Sequence, residues 1–265
     1  MISEKLSSHG ISIKGELKGP YKIIIPLSGG KDSQACLKLA LAEFEKSEIL
    51  CVFCDTRFEH EITYKHVQNI SKKSEVDIVT LNAGSVLEVC TKYKRFPGGG
   101  ARHCTDELKI RPSKFFYKYL AEQQGGFEVW MGVRSQESSE RAKRYEFKVS
   151  NELYAPHDFM PRKYPKYLEK LGVMFRVPVL EWSKYEVLDF LDGEENELYS
   201  HGFDRVGCFP CLASGEAWQM KAFHFDETGR KHFMIAEQIS EIAGRDVLVT
   251  KKYAGQGPGC ALCSI

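Results

Sequence analysis

The sequence predicts a doubly wound α/β fold with a parallel sheet, followed by a small cysteine-containing C-terminal region. Three observations point to it. Short β-branched apolar runs alternate with helix-period stretches between residues 22 and 191; the first run ends in a glycine-rich turn; and periodicity weakens from about residue 196, where cysteines cluster. Residues 22–27 (KIIIPL) read as a strand closing on Ser28-Gly29-Gly30, and residues 33–46 as a helix with Cys36, Leu39 and Ala40 on one apolar face. Residues 49–54 form a second strand ending at Asp55-Thr56, a helical stretch runs to about Lys73, and residues 76–81 (VDIVTL) form a third strand. Strands joined through helices pair in parallel. Proline and three glycines at 95–101 break both periods and predict a loop leading into Arg102-His103-Cys104. Residues 112–124 read as a helix, 127–133 and 173–180 as strands, and 183–191 as a helix. The predicted division is an N-terminal segment (1–20), an α/β domain (21–195) with an insert at about 141–172, and a cysteine-rich region (196–265).

With 265 residues, 43% of them hydrophobic, the chain can bury a core, which excludes disordered, collagenous and small disulfide-stapled classes. Its 37 Lys and Arg nearly cancel 36 Asp and Glu, so any attraction to nucleic acid must be local. Residues 1–15 lack the apolar stretch of a signal peptide, and no run reaches the ~20 apolar residues of a membrane span. A cytoplasmic protein without a membrane partner is expected. Its nine cysteines then read as metal ligands, redox groups or small core residues rather than disulfides.

Ser28-Gly29-Gly30-Lys31-Asp32-Ser33 lies between a predicted strand and helix. Glycines there let backbone N–H groups approach phosphate oxygens, and the helix N-terminus adds partial positive charge. The spacing is neither that of Walker A nor that of the dinucleotide fingerprint. The plain alternative is a capped strand-to-helix turn.

This hexapeptide in its setting resembles the PP-loop of adenine-nucleotide α-hydrolases, which cleave ATP between the α and β phosphates. Further segments are similar to the phosphoadenylylsulfate (PAPS) reductase family: Asp55-Thr56-Arg57-Phe58-Glu59 to its DT-x-x-E, Cys104 to Pro112 to its C-x-x-x-x-K-x-x-P, Gly132 to Arg141 to its G-x-R…ES…R, Pro178 to Leu188 to its P-x-x-x-W-x-x-x-x-V, and Gly207 to Cys211 to its GC-x-x-C. The ordered matches run from about residue 21 to 211 and imply a Rossmann-like HUP fold. Two departures matter. PAPS reductases proper carry a Ser-rich version of the hexapeptide, intact here, and their C-terminal E-C-G-L-H is replaced by Cys260-Ala-Leu-Cys263. Both point toward the ATP-using sulfur-transfer branch, exemplified by DNA phosphorothioation sulfurtransferases and tRNA thiolases.

The resemblance implies ATP with Mg²⁺ at Ser28 to Ser33. Negative charge developing on phosphate oxygens would be met by Lys31, the loop amides and Mg²⁺. Asp55, at a strand's carboxyl end, is placed to hold Mg²⁺ or a ribose hydroxyl, or else to cap a helix. Lys109, Arg134 and Arg141 resemble the family's phosphate or sulfate contacts; solvated surface charge is the alternative for each. Cys104, Cys208 and Cys211, with Cys260 and Cys263, form a set of soft ligands suited to a [4Fe–4S] cluster or to Zn²⁺. The fourth position is open among three readings: a thiolate from Cys260 or Cys263, an exposed iron that binds hydrosulfide, or a structural zinc site. Ordinary reduced cysteines without metal are the remaining alternative. Cys36, Cys51, Cys54 and Cys90 lie in apolar patterns and read as core.

The insert interleaves basic and aromatic residues (Arg144, Tyr145, Phe147, Tyr154, Phe159, Arg162, Lys163, Tyr164, Lys166, Tyr167), which suits nucleic-acid phosphates and bases, and equally a solvated insert diluted by Glu146, Glu152, Asp158 and Glu169. The expected function is ATP-dependent adenylation of an acceptor, releasing pyrophosphate and then AMP as a persulfide or hydrosulfide delivers sulfur. One rival is a reductase of adenylylated sulfate that attacks with Cys260 or Cys263; another is a nonhydrolytic nucleic-acid-binding module with structural zinc. The sequence leaves the acceptor and the oligomeric state open.

Overall fold

The computed structural model describes residues 1–98 and 102–246. Six strands form one sheet in the order β1-β4-β3-β2-β5-β6: β1 (Ser12–Lys14), β2 (Ile23–Pro26), β3 (Ile49–Asp55), β4 (Asp77–Asn82), β5 (Phe127–Trp130) and β6 (Val173–Arg176). β2 to β6 are mutually parallel, as the strand–helix alternation predicts. β1 adds an antiparallel edge against β4, so the sheet is mixed rather than purely parallel. That strand escaped the sequence pattern because its three residues include two exposed ones and carry no apolar run.

Successive strand residues point to opposite faces, and the two cores follow from that. Ile24, Leu50, Val52, Val79 and Val129 pack on one side with Phe116, Tyr117 and Leu120 of the helix Arg111–Gln124. Ile23, Ile25, Ile49, Cys51 and Phe53 pack on the other with Ala35, Cys36, Leu37 and Ala40 of the helix Lys31–Glu43. Helices on both faces make this a doubly wound, Rossmann-like sheet. The observed strands are shorter at their carboxyl ends than the apolar runs 127–133 and 173–180, because the last residues of each leave the ladder to line the rim. Cys36, Cys51, Cys54 and Cys90 are buried, as their patterns predict.

Two glycines are required by close approach. Gly29 has φ +74°, and a Cβ there would come within 2.7 Å of the Thr63 side chain. A Cβ on Gly132, just past β5, would sit 2.5 Å from the Ser33 nitrogen, so the backbone rests directly on the start of the Lys31–Glu43 helix.

The insert behaves differently from its composition. Tyr145, Phe159 and Tyr164 are buried in the sheet's core, with Tyr154 and Tyr167 half-buried against it, which leaves Phe147 as the insert's exposed aromatic ring. Cys104 lies in a short helical turn, His103–Thr105. That turn runs through a π-helical stretch, Asp106–Ile110, into the helix Arg111–Gln124. No described helix is long and apolar enough to cross a membrane.

Candidate functional site

Two clusters occupy the carboxyl-end rim of the sheet. The first is built on the turn between β2 and the helix Lys31–Glu43. Ser33 braces it: its hydroxyl donates to the Gly30 carbonyl (2.9 Å) and accepts from the Ser28 N–H (3.2 Å). Gly30 is the helix N-cap and makes no side-chain cap bond, so the first-turn amides are left to other partners. One of those is remote in sequence. The Lys31 N–H donates to the Tyr199 hydroxyl at 3.0 Å, and the Lys31 ammonium lies 5.2 Å from the centre of the same ring. Asn196 ties this segment down by donating to the Gly29 carbonyl (3.2 Å).

Charge collects around the turn. Lys31 is buried, which holds its pKa below the ordinary lysine value; Asp32, 3.6 Å away, opposes that, and Arg134 adds to it. The buried Arg134 donates to Asp32 at 2.7 Å. The fully buried Arg141 pairs with Glu137, which also meets Arg205 at 3.0 Å. Four cations thus face two carboxylates, a surplus of positive charge at a helix N-terminus of the kind that suits an anion. The cleft between them measures about 30 Å³ and is lined by Ser28, Lys31, Gly132, Glu137, Tyr199 and Arg205, room for roughly one water.

The second cluster lies where β3 ends. Asp55 accepts from the Arg57 N–H and from the Tyr64 hydroxyl, both at 2.8 Å through Oδ1. The helix-cap reading of Asp55 falls away, because the following helix Glu61–Ser74 is capped by His60, whose Nδ1 accepts from the Ile62 N–H. Glu59 is buried; it accepts from the Thr56 hydroxyl (2.7 Å) and N–H (3.1 Å), and from Tyr64 (3.3 Å). The C-x-x-C arm lies antiparallel against this segment. Glu59 bridges Cys208, the Phe209 N–H donates to the Phe58 carbonyl (2.7 Å), and the Cys208 sulfur approaches Thr56 Oγ1 (3.5 Å) and Glu59 Oε1 (3.8 Å).

Lys109 is buried among these groups. Burial alone would lower its pKa, but Cys208, Glu59, Cys54 and Cys104 outweigh it and raise the ammonium above its ordinary value. Burial raises Glu59, with Lys109 opposing. It also pushes the Cys104 thiol up to about 11, with Cys211 adding to the rise, and Cys208 up to about 12 against the pull of Lys109. Cys104, Cys208 and Cys211 are therefore electrostatic neighbours and chemically of the kind a thiophilic metal takes. Yet among the described residues no three Cys, His, Asp or Glu side chains converge on one point as metal ligands. Cys260 and Cys263 lie outside the described residues.

The fold thus brings together Ser28 to Ser33, Arg134 and Arg141 in one cluster, and Asp55, Lys109, Cys104, Cys208 and Cys211 in the other. Sequence reasoning missed Glu137, Tyr199 and Arg205. Glu137 sits in the ES of the matched arginine element, whereas Tyr199 and Arg205 follow the loss of periodicity and carry no local signal.

The phosphoadenosine phosphosulfate reductase domain matches residues 22–214. A Methanocaldococcus jannaschii protein of uncharacterised function is 30% identical over 207 residues, 75% of this chain and 39% of its own. A second protein from that organism is 29% identical, covering 73% and 42%. The chain therefore spans about two fifths of the length of these relatives. Among solved structures, a PAPS reductase from Candida auris aligns at 15% identity and TM-score 0.46, covering 73% of this chain and 83% of that one. A U34-tRNA thiolase from Methanococcus maripaludis, solved with its [4Fe-4S] cluster, aligns at 16% identity and TM-score 0.44, covering 100% and 86%.

Proposed function

The chain belongs to the phosphoadenosine phosphosulfate reductase domain family of PP-loop proteins, and from that premise we propose that it is an ATP-dependent adenylating enzyme that prepares an acceptor for sulfur transfer. The observation that carries this reading is the intact Ser28-Gly29-Gly30-Lys31-Asp32-Ser33 turn at a helix N-terminus, inside a ring of four cations and two carboxylates. An acceptor oxygen attacks the α-phosphorus, and the bond to the bridging oxygen breaks. Pyrophosphate leaves with the electron pair. The negative charge it carries falls among Lys31, Arg134, Arg141, Arg205 and the turn's amides, in a poorly hydrated site where such charge pairing is strong. Hydrosulfide then attacks the activated carbon and AMP departs; a persulfide would attack through its terminal sulfur, and a second thiol would then have to cleave the S–S bond of the adduct, leaving as a disulfide with the carrier. Mg²⁺ would neutralise phosphate charge when bound. Asp55 is a candidate to hold it, since both described bonds to this carboxylate use Oδ1 and leave Oδ2 to the metal.

The deciding experiment incubates the protein with Mg-ATP and scores pyrophosphate and AMP, beside adenylylated sulfate scored for sulfite. Pyrophosphate release supports adenylation; sulfite formation without ATP consumption would identify a reductase instead.

Tyr199 occupies the Lys31 amide that a phosphate oxygen needs, so it has to move for ATP to bind. Tyr199→Phe removes a competing hydrogen bond worth about 1 kcal/mol, so ATP should bind up to about fivefold more tightly while the empty protein loses about the same stability. Calorimetric titration measures this; weaker binding would mean that the hydroxyl serves the nucleotide.

Cys104, Cys208 and Cys211 are the residues that would hold an iron–sulfur cluster or zinc, with Cys263 as fourth ligand. Their thiols must lose protons to do so, so uptake should release protons and weaken as pH falls. Cys104→Ser and Cys208→Ser should each abolish metal retained by anaerobically prepared protein. Full metal in both variants, or neither iron nor zinc in the unaltered protein, would contradict the assignment.

A further inference from the structure

The C-x-x-C arm is held from two directions, and one of them lies past residue 214, where the family match ends. On the near side the Phe209 N–H donates to the Phe58 carbonyl (2.7 Å), which ties the arm to the segment after β3. On the far side stands the helix Glu227–Ala243, whose Ala236 and Ile239 pack with Phe58, Leu108 and Leu212. It sends His232 to the arm. His232 Nδ1 is hydrogen-bonded to the Phe209 carbonyl, and because a carbonyl only accepts, that nitrogen carries the proton and donates. The imidazole also stacks on Phe58, with ring centres 4.2 Å apart. Phe209 follows Cys208 directly, so both backbone polar groups of the residue next to that thiol are bound, one by each side.

The same helix reaches the arm a second time through its cap. Asp226, the N-cap, accepts from the Gly229 N–H through Oδ1 (2.9 Å) and is paired with His60 Nε2 through Oδ2 (2.9 Å). His60 is buried, and its Nδ1 accepts from the Ile62 N–H, which places the proton on Nε2 and aims it at Asp226. Held this way, the imidazole meets the Phe209 ring edge-on at 4.6 Å. Phe203 and Phe225 close on the same buried ring at 4.9 and 6.0 Å.

The consequence falls on Cys208. Its sulfur rests 3.5 Å from Thr56 Oγ1 and 3.8 Å from Glu59 Oε1. A thiol that swings sulfur between two places would have to break the Phe58 and His232 bonds and withdraw an aromatic ring from the core. A metal ligand has the opposite need, since hydrogen bonds just outside the ligand set fix its orientation and account for much of a site's affinity. We propose that the helix Glu227–Ala243 is a clamp for the C-x-x-C arm. His232 directly, and Asp226 through His60, are positioning residues that hold Cys208 in one place, as a fixed ligand and not as a swinging sulfur carrier. This rests on the ligand reading of Cys208 given above, and the test separates the two.

Two variants of the full chain take the roles of His232 apart. His232→Phe keeps a ring to stack on Phe58 and loses the donor, whereas His232→Asn keeps a donor near the place of Nδ1 and loses the ring. Hydrogen exchange at the Phe209 amide reports local opening of the arm, and the melting temperature reports the whole fold. Exchange there should rise about fivefold in His232→Phe, the effect of losing one hydrogen bond. His232→Asn should melt at a lower temperature yet leave Phe209 exchange unchanged. Zinc, titrated against a chromophoric chelator, should bind His232→Phe about tenfold more weakly than the unaltered protein. The clamp is overturned if Phe209 exchange or zinc affinity is unchanged in His232→Phe. It is overturned equally if both variants speed exchange in step with their fall in melting temperature, as a histidine that only supports the fold would require. An unaltered protein that takes up no zinc and holds no iron would sink the ligand reading instead, and the exchange rates would still decide the clamp.

Discussion

Lys31→Ala should bind Mg-ATP about ten- to hundredfold more weakly than the unaltered protein while folding as stably or slightly more so. The two halves of that expectation have separate physical sources. A charge-assisted bond to phosphate is worth roughly 1.5–3 kcal/mol, which sets the affinity loss. Stability moves the other way, because burial already works against the Lys31 charge and lowers its pKa. Removing it leaves Asp32 paired with Arg134 at 2.7 Å, so no carboxylate is stranded. A lysine with a purely structural role would show the opposite pattern, a lower melting temperature with nucleotide affinity intact. An unchanged ATP titration would remove the phosphate-site assignment.

Lys109→Met should destabilise the protein, because it removes the buried cation whose charge opposes the burial-driven rise of the Glu59 pKa. The stranded partner is Glu59, which burial pushes toward its neutral form and Lys109 holds back. Without Lys109 its folded pKa rises further above the unfolded value, so the folded protein binds the extra proton. Stability must then fall as pH rises from the unfolded carboxyl pKa through the raised folded one. Urea denaturation at pH 5 and pH 8 measures this: the variant should be markedly less stable at pH 8, by more than the unaltered protein differs between the two. Adding Glu59→Gln should restore most of the loss, because an amide needs no counter-charge. A Lys109→Met protein that keeps its stability and shows no pH dependence would mean that Lys109 and Glu59 are screened from one another. The π-helical stretch Asp106–Ile110 that carries Lys109 fits this placement, since such stretches recur where a helix bends its pattern to serve a site.

Much of the fold was legible in the sequence because its causes are local. A β-branched run such as Ile23–Pro26 can only be half or fully buried strand, and Gly29 and Gly30 permit the turn that a Cβ would block against Thr63. The apolar face of Lys31–Glu43 repeats at helical spacing. From these the parallel sheet and the glycine-rich turn follow. The aromatic residues of the insert mark the limit of such reading: composition alone could not distinguish Tyr145, Phe159 and Tyr164, which fill the core, from Phe147, which faces water.

What the sequence by itself determined about this protein is the parallel pairing of β2 to β6, the glycine-rich turn at the start of the helix Lys31–Glu43 and the burial of Cys36, Cys51, Cys54 and Cys90, each settled by residue type and spacing within a few positions. Tertiary structure alone decided how charge is arranged around them. Tyr199 reaches the Lys31 amide across 168 residues, and Glu137 binds Arg141 and Arg205 together. The C-x-x-C arm lies on the segment after β3, over a buried Lys109. The reason is that backbone periodicity comes from short-range sterics and burial. A charged or thiol side chain acquires its chemistry from the groups that desolvate and pair with it, and those come from distant parts of the chain.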